Sequence, residues 1–340
     1  MPFQMYVSIM GEDRIAHFTM DANTGNLTPR DDIAVSGRPA PLTVDPQRRY
    51  LYVGRRGENR ISGFRLNPKT GALSMLGTVQ MKSDPCYLST DRKGRFILSS
   101  YYEGGGVAVC ATGDDGAPLS PPIEWLATGH GAHSIQTDRS NMFAFVPHID
   151  GPKGPNMILQ FKFNEKTGHL TPNSPPRVDQ PPEVGPRHFC FHPNKDIVYF
   201  SNEQGCSVTS YNLDPAKGTL SPFQTVSTLP LDFHGKNNCA QIQISPSGRF
   251  LYAPNRGHNT IASFSIDSAT GKLTPIEWTA TEAVPRALSL APNGNFLYVA
   301  GLQSGKLASY RIDQKSGRLQ PLKIYPLGKE PMWVLITKLG

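Results

Sequence analysis

Nowhere in the 340 residues is there an apolar run of the roughly 18 that a membrane-crossing helix needs. The first residues, MPFQMYVSIMGEDRI, lack a basic segment followed by an apolar one, so no secretory leader is expected. Cysteine is scarce and odd in number. The five residues Cys86, Cys110, Cys190, Cys206 and Cys239 make no CxxC pair, which argues against a disulfide framework and against a zinc knuckle. A soluble cytoplasmic protein with reduced thiols is the expectation. HxH and HExxH spacings, a GxSxG elbow, a Walker A loop and a dinucleotide fingerprint are all missing, so neither a protein-built metal site nor a cofactor is expected. The GGG at 104–106 has no helix pattern after it and does not read as a phosphate cradle. Charge is sparse too, at 18% of residues. The net charge is +7, but no run of five Lys or Arg occurs, so a nucleic-acid partner is not expected. An excess of that size suits a small anionic metabolite better.

What is abundant is turn chemistry. The chain has 32 Gly and 31 Pro beside 38% apolar residues, which points to an all-β fold of many short strands. Internal repetition is the strongest signal. RPAPLTVDPQRRYLYVGRRGENRISGFRLNPKTGAL (38–73) and PRALSLAPNGNFLYVAGLQSGKLASYRIDQKSGRL (285–319) share one plan: a lead-in residue, an alternating strand, a turn, a strand with Leu-Tyr-Val, a loop, a third strand and a Gly turn. The lead-in recurs at Pro39, Pro85, Ala132, Pro186, Cys239, Pro285 and Pro331, at intervals of 46 to 54 residues. The Gly turn also recurs seven times, as NTG at 23–25, KTG at 69–71, DDG at 114–116, KTG at 166–168, AKG at 216–218, ATG at 269–271 and KSG at 315–317. Seven such units, each of about four strands, predict a seven-bladed β-propeller over 1–340 as a single domain. The last stretch, EPMWVLITKLG, supplies one strand, and the first residues resume the unit at its second. The two ends are therefore expected to pair in one composite blade, which removes two free sheet edges.

In an up-and-down blade the lead-in and the loop between the second and third strands share one face. That face carries the irregular lengths HIDGPKGPN (148–156), SPPRVDQPPEVG (174–185) and STLPLDFHGKNN (227–238), and loops that break a repeat's economy commonly serve function. The residue after each lead-in position is Ala40, Cys86, His133, Arg187, Ala240, Arg286 or Met332. At the start of innermost strands, His133, Arg187 and Arg286 are expected to crowd the mouth of the central channel. The ends of the second strands add Arg55 and Arg56, Tyr101 and Tyr102, His148, Asn202 and Glu203, Asn255 and Arg256, and Gln303. The catalytic candidates are His133, Arg187, Glu203, Arg256 and Arg286. The candidates for substrate contact are Arg56, Tyr101, His148, His188, Asn202, Gln241 and Gln303. Cations with one carboxylate suit recognition of a small anion, although Glu203 could equally pair with Arg187 or Arg256 as a structural ion pair. His133 is the best candidate for proton transfer, with Glu203 as the other group able to activate water and a satisfied core histidine as the bland reading of His133. His188 shares a face of its strand with His192, and both are expected to pack between blades.

The motifs RRYLYVGRR (48–56), GAHSIQTD (131–138), GPRHFCFHPN (185–194), SNE (201–203), SPSGRFLYAPNRG (245–257), VPRALSLAPNG (284–294) and PMWV (331–334) resemble those of a lactonase family of seven-bladed propellers. That family includes bacterial propeller-type 6-phosphogluconolactonases and fungal carboxy-cis,cis-muconate cyclases. The resemblance runs end to end and implies active-site roles for His133, Arg187, Glu203 and Arg256, with Arg286 beside them. It implies hydrolysis of a sugar-acid lactone, with a carboxymuconate cycloisomerase as the alternative chemistry. A propeller that only binds a metabolite is the non-enzymatic alternative. Gln241 and Gln243 stand where family members often carry an acid and a histidine, which leaves Glu203 as the principal acid. The 148–156 loop is also unlike the short loop of the phosphogluconolactonases.

Overall fold

A computed structural model describes residues 2–149, 151 and 154–339 and arranges them as seven antiparallel sheets around a ring. Six sheets are consecutive in the chain. Blade 2, for example, runs Pro39–Val44, Tyr50–Arg55, Arg60–Leu66 and Leu73–Gln80 from the inside outward. Blade 1 is composite. Pro331–Thr337 is its innermost strand and pairs antiparallel with Phe3–Ile9, setting Val334 opposite Val7. Arg14–Met20 follows, and two short pieces, Leu27–Pro29 and Ile33–Ala34, share the outer edge. The predicted seven-bladed propeller is thus the observed fold, closed by pairing of the first and last strands.

The repeated Gly turns explain how the blades hold one another. Gly25, Gly71, Gly116, Gly168, Gly218, Gly271 and Gly317 all have φ between +66° and +84°, a region that L side chains avoid. They are also pressed against the adjacent blade. A Cβ on Gly218 would lie 2.1 Å from the Phe143 ring, and one on Gly317 2.3 Å from the Phe250 ring. Beside this contact the tyrosine of the Leu-Tyr-Val strand buries its ring and donates its hydroxyl to the Gly carbonyl. Tyr52 reaches Gly116 at 3.0 Å, Tyr199 reaches Gly271 at 2.8 Å and Tyr252 reaches Gly317 at 3.0 Å. Burial of a large ring is favourable, and satisfying the hydroxyl removes its desolvation penalty. The blade-to-blade cores are therefore dry. Tyr199, Leu251, Ala253 and Phe264 all lie in one, and each is fully buried.

At the first turn of blades 2, 3 and 4 an aspartate replaces missing ladder bonds. Asp45, Asp91 and Asp138 each accept two backbone N–H bonds from the start of the following strand, at 2.6 to 3.0 Å. Ser245 does the same more weakly in blade 6, accepting from Phe250 at 3.1 Å. This face is consequently tight and regular. The opposite face, where lead-ins meet the loops between second and third strands, carries the irregular residues.

Candidate active site

The innermost strands of blades 1, 2, 5 and 7 begin out of register. In blade 5, Pro186 is opposite Asn202 and His188 is opposite Ser201, so Arg187 has no partner across the ladder. Arg286 is skipped in the same way in blade 7, and Met332 in blade 1. Blade 2 has its extra residue between Pro39 and Leu42. In blades 4 and 6 only isolated bridges remain there, Ala132 to His148 and Cys239 to Asn255. A bulge of this kind re-aims side chains that would otherwise alternate between faces. The channel therefore receives neighbours in sequence: Ala40 with Pro41, Arg187 with His188, and Met332 with Trp333. With Arg56, Cys86, His133, Gln241 and Arg286 they line a narrow cleft whose cavity volume is only about 10 Å³.

A second ring of side chains sits above the first, one from the residue that follows each second strand: Met10, Arg56, Tyr102, Ile149, Glu203, Arg256 and Leu302. The mouth is two-sided as a result. Met10, Ala40, Leu302 and Met332 form an apolar wall. The polar wall is made by blades 4 to 7.

Glu203 is central to that polar wall. Arg187 donates from Nε to its Oε2 at 2.6 Å, and Arg256 Nη2 lies 2.9 Å from its Oε1. Arg256 also donates from Nε and Nη2 to the carbonyl of Cys239, at 3.2 and 2.6 Å. Two donors are left over. Nη1 of Arg187, a side chain only 2% exposed, is buried with no hydrogen-bond partner among the described residues. The half-buried guanidinium of Arg286 likewise has no ion pair or hydrogen bond among them. Arg56 is neutralised by Asp84 at 2.5 Å. Three arginines thus face one carboxylate, and the pocket holds uncompensated positive charge.

Two buried histidines meet here. Nδ1 of His133 is 3.2 Å from Nε2 of His188, so one ring donates and the other accepts. Tyr102 packs edge-on to His133 with ring centres 5.8 Å apart. Below them Tyr87 and Trp333 contact His188 and floor the pocket. Burial, then the charges of Arg187, His188 and Arg286, hold His133 well below the usual imidazole range, so it is neutral. Burial and the same arginines do likewise to His188. Burial alone would raise Glu203, but Arg187 and Arg256 outweigh it and keep the carboxyl below its ordinary value. Burial, with Arg187 and Arg256 as like charges, presses Arg286 down to about 9, still protonated at neutral pH.

Several expectations require correction. Tyr101 is buried in the hydrophobic interior and pairs with the hydroxyl of Ser99; its neighbour Tyr102 faces the mouth. His148 is fully buried, bonded to the Val146 carbonyl and Thr128, and Ile149 takes the mouth position. Asn202 is also fully buried and donates to Ser207 and Thr209 inside its own blade. Gln303 is exposed on the rim, one residue past the inward-facing Leu302. The reason is common to the first three. The pleat of the second strand continues through its last residue, so that side chain points into the sheet stack, and the next one points to the channel. Arg55 and Asn255 follow the same rule, bonding to Glu58 and Thr228 respectively. His188 does not pack between blades but lines the channel, because the bulge before it shifts the alternation. His192 stays on the far face, bonded to the Gly248 carbonyl.

Gln241 reaches the channel wall, yet its Oε1 accepts from the Leu288 N–H at 2.8 Å, and Gln243 accepts from Leu290 at 2.7 Å. Both amides staple blade 6 to blade 7. Of the three irregular loops, 174–185 is shorter than expected, since the outermost strand Leu170–Asp179 takes up its first half. The 227–238 loop buttresses the turn after Arg256: Asn238 accepts from the Arg256 N–H at 2.9 Å, and a Cβ on Gly257 would collide with the Lys236 carbonyl at 2.0 Å. In the 148–156 loop, residues 150, 152 and 153 lie outside the described residues. Trp333 and Met10 had not been singled out. Trp333 could have been found by pairing each lead-in neighbour with the residue after it, as His188 follows Arg187.

Comparison with known proteins gives a consistent picture. A family model described as lactonase, seven-bladed beta-propeller, matches residues 4–336. A 6-phosphogluconolactonase of Yersinia enterocolitica is 33% identical over 98% of this chain and 97% of its own length. One from Pectobacterium carotovorum is 35% identical over 72% of each chain. Among solved structures, the periplasmic gluconolactonase PpgL of Pseudomonas aeruginosa superposes with a TM-score of 0.91 at 25% identity, covering 100% of both chains. A putative 6-phosphogluconolactonase of Bacteroides fragilis shares the fold with a TM-score of 0.89 at 24% identity, over 99% of this chain and 98% of that one.

Proposed function

Because the chain belongs to the seven-bladed β-propeller lactonase family, we propose that it hydrolyses an anionic sugar-acid lactone at the mouth of its central channel. The substrate in this reading is 6-phosphogluconolactone or a related aldono- or uronate-derived lactone. The observation that carries it is the pair of unused donors, Nη1 of Arg187 and the guanidinium of Arg286. A buried donor or a partly buried cation without a partner is costly, and an anionic ligand removes that cost. The apolar wall of Met10, Ala40, Leu302 and Met332 offers the carbon face of a sugar ring a dry surface opposite the arginines.

In this reading water attacks the lactone carbonyl and His133 Nε2 takes its proton. Arg256 and the free Nη1 of Arg187 stabilise the tetrahedral oxyanion, and the imidazolium returns the proton to the departing ring oxygen. Glu203 is the weaker candidate for base, because two guanidinium groups hold its oxygens and lower its basicity. Its role is to orient those arginines. For His133 to act as base its Nδ1–H must donate to His188 Nε2, leaving Nε2 with a lone pair. The bound anion is part of the mechanism. It offsets the arginine charges that depress His133, and so raises the imidazole toward a useful basicity only when substrate is present.

The test is a pH-indicator assay of proton release on 6-phosphogluconolactone, glucarolactone, galactarolactone and uncharged gluconolactone. An ultraviolet assay for loss of 3-carboxymuconate runs beside it. Rapid proton release on a charged lactone is expected. Arg286→Met should raise KM for that substrate roughly 10–100-fold, the worth of one charge-assisted contact of about 1.5–3 kcal/mol, and leave gluconolactone nearly unaffected. Muconate consumption without lactone hydrolysis would replace this reading with the cycloisomerase one.

The pH profile supplies a further check. His133 is neutral well below the ordinary imidazole value, so kcat/KM on glucarolactone should stay flat through about pH 6.5. An acid limb centred there would mean that the base is an unperturbed histidine and not His133 as it sits in this pocket.

A further inference from the structure

The residue that closes the loop before each third strand lies in the left-handed region in all seven blades: Asp13, Asn59, Gly105, Asn156, Cys206, Asn259 and Gly305, with φ from +44° to +66°. Asp, Asn and Gly are the residue types that tolerate this conformation. Cysteine is not, and only blade 5 carries one. In three blades the side chain there is a latch on the next blade. Asp13 accepts from the Arg38 N–H at 2.7 Å, Asn156 from Gly185 at 2.9 Å and Asn259 from Val284 at 3.0 Å, each donor being the residue just before a lead-in. Blade 5 must latch onto blade 6, and there the lead-in position holds Cys239 where five other blades hold proline. Two of the departures from the repeat are cysteines, and they lie in one polar nest.

The nest that the two thiols share is built from Asn237, Asn255 and Thr228. Asn237 Nδ2 is 3.3 Å from the Cys206 sulfur and 3.1 Å from Asn255 Oδ1, which lies 3.8 Å from the Cys239 sulfur. Thr228 Oγ1 is 3.1 Å from Cys239 Sγ and donates to the Cys206 carbonyl at 2.9 Å. Cys206 is half-exposed, while Cys239 is fully buried. The neighbouring Cys239, with help from Asn237 and the charge of Arg256, lowers Cys206 to about 6, whereas Cys239 is raised. Burial pushes the remaining thiols, Cys86, Cys110 and Cys190, upward and leaves them unreactive.

We propose that Cys206 and Cys239 are an oxidisable dithiol, and that peroxide closes them into a disulfide that slows the enzyme. The Cys206 thiolate attacks peroxide: an S–O bond forms, the O–O bond breaks, and the hydroxide released is protonated to water. Cys239 then attacks the sulfenic sulfur, forming the S–S bond and expelling a second water, so that two thiols and one peroxide give one disulfide and two waters. The consequence for the pocket is direct. The Cys239 carbonyl holds the Arg256 guanidinium, and its N–H donates to the Glu203 carbonyl at 3.1 Å. Drawing the sulfurs together to about 2.05 Å pulls on both residues at once.

The effect on turnover rests on the lactonase reading, but the chemical readouts do not. Peroxide treatment should lower the intact mass by about 2 Da and remove two of the five titratable thiols, and peptide mapping should show Cys206 joined to Cys239. Activity should fall several-fold and return with dithiothreitol. Cys206→Ser should keep its activity and resist peroxide. Five surviving thiols after treatment, or a bridge between other cysteines, overturns the site. A Cys206–Cys239 bridge that leaves turnover unchanged overturns its link to Arg256 and Glu203.

Discussion

His133→Ala should lower kcat by about 10²–10⁴-fold with KM changed by less than about threefold, the signature of a lost proton-transfer group with intact substrate binding. The expectation rests on position. His133 is neutral, buried and tied by only one ring nitrogen, the one facing His188, and it packs against Tyr102 at the mouth. Arg286, which holds the substrate's anionic group, and Arg187 Nη1, which faces the oxyanion, belong to other blades and stay where they are. His133→Gln separates structure from chemistry, since an amide can keep the contact to His188 but cannot accept a proton at useful pH. Steady-state kinetics on a charged lactone decide the matter. If both variants keep near-normal kcat, proton transfer belongs elsewhere. A large rise in KM with kcat preserved would make His133 a binding residue.

The second large effect is at Glu203. Glu203→Gln removes the charge shared by Arg187 and Arg256 while keeping the side chain's shape. Breaking one side of a buried pair typically costs about 3–5 kcal/mol, because the remaining ion is left uncompensated. Here two cations are stranded beside a third, Arg286, so the denaturant midpoint should drop and kcat/KM should fall roughly 10²-fold through loss of alignment. The pH dependence has a definite sign. Glu203 is held below its ordinary carboxylate value, so its stabilising contribution is complete above the unfolded-state value of about 4.3 and is lost as pH falls through the folded-state value. Wild-type stability should therefore decline in that acid window more steeply than that of Glu203→Gln. Parallel acid unfolding curves for the two proteins would show that the carboxylate is not the group responsible. An undiminished midpoint together with a lost activity would make Glu203 chemical and not architectural.

The ring was legible because its repeats carry unambiguous turn chemistry. Seven glycines at equivalent positions all adopt positive φ, and the lone final strand beginning at Pro331 finds the first strand of the chain. The residues after each lead-in were legible for the same reason, since a repeat exposes its exceptions: alanine in two blades and arginine in two others. The outer ring of the mouth was not. Tyr101, His148, Asn202 and Gln303 each miss the inward position by one residue, because the point at which a strand's alternation hands over to a turn is set by backbone geometry and not by residue type. Arg56, Glu203 and Arg256, one place further along than Arg55, Asn202 and Asn255, show the correct phase. His188 was misread for the complementary reason. A bulge inverts the face of every residue after it, and no local composition marks where the inversion begins.

That bulge has a consequence for how such a ring can change. A side chain standing outside the ladder contributes nothing to strand pairing, so it can be exchanged without rewriting an inter-strand hydrogen bond. Alanine, cysteine, histidine, arginine and methionine occupy the same socket in different blades of this one chain. The framework thus behaves as a holder whose strand pairing does not depend on what fills these positions. Chemistry at its centre can be recomposed one position at a time while the holder itself stays intact.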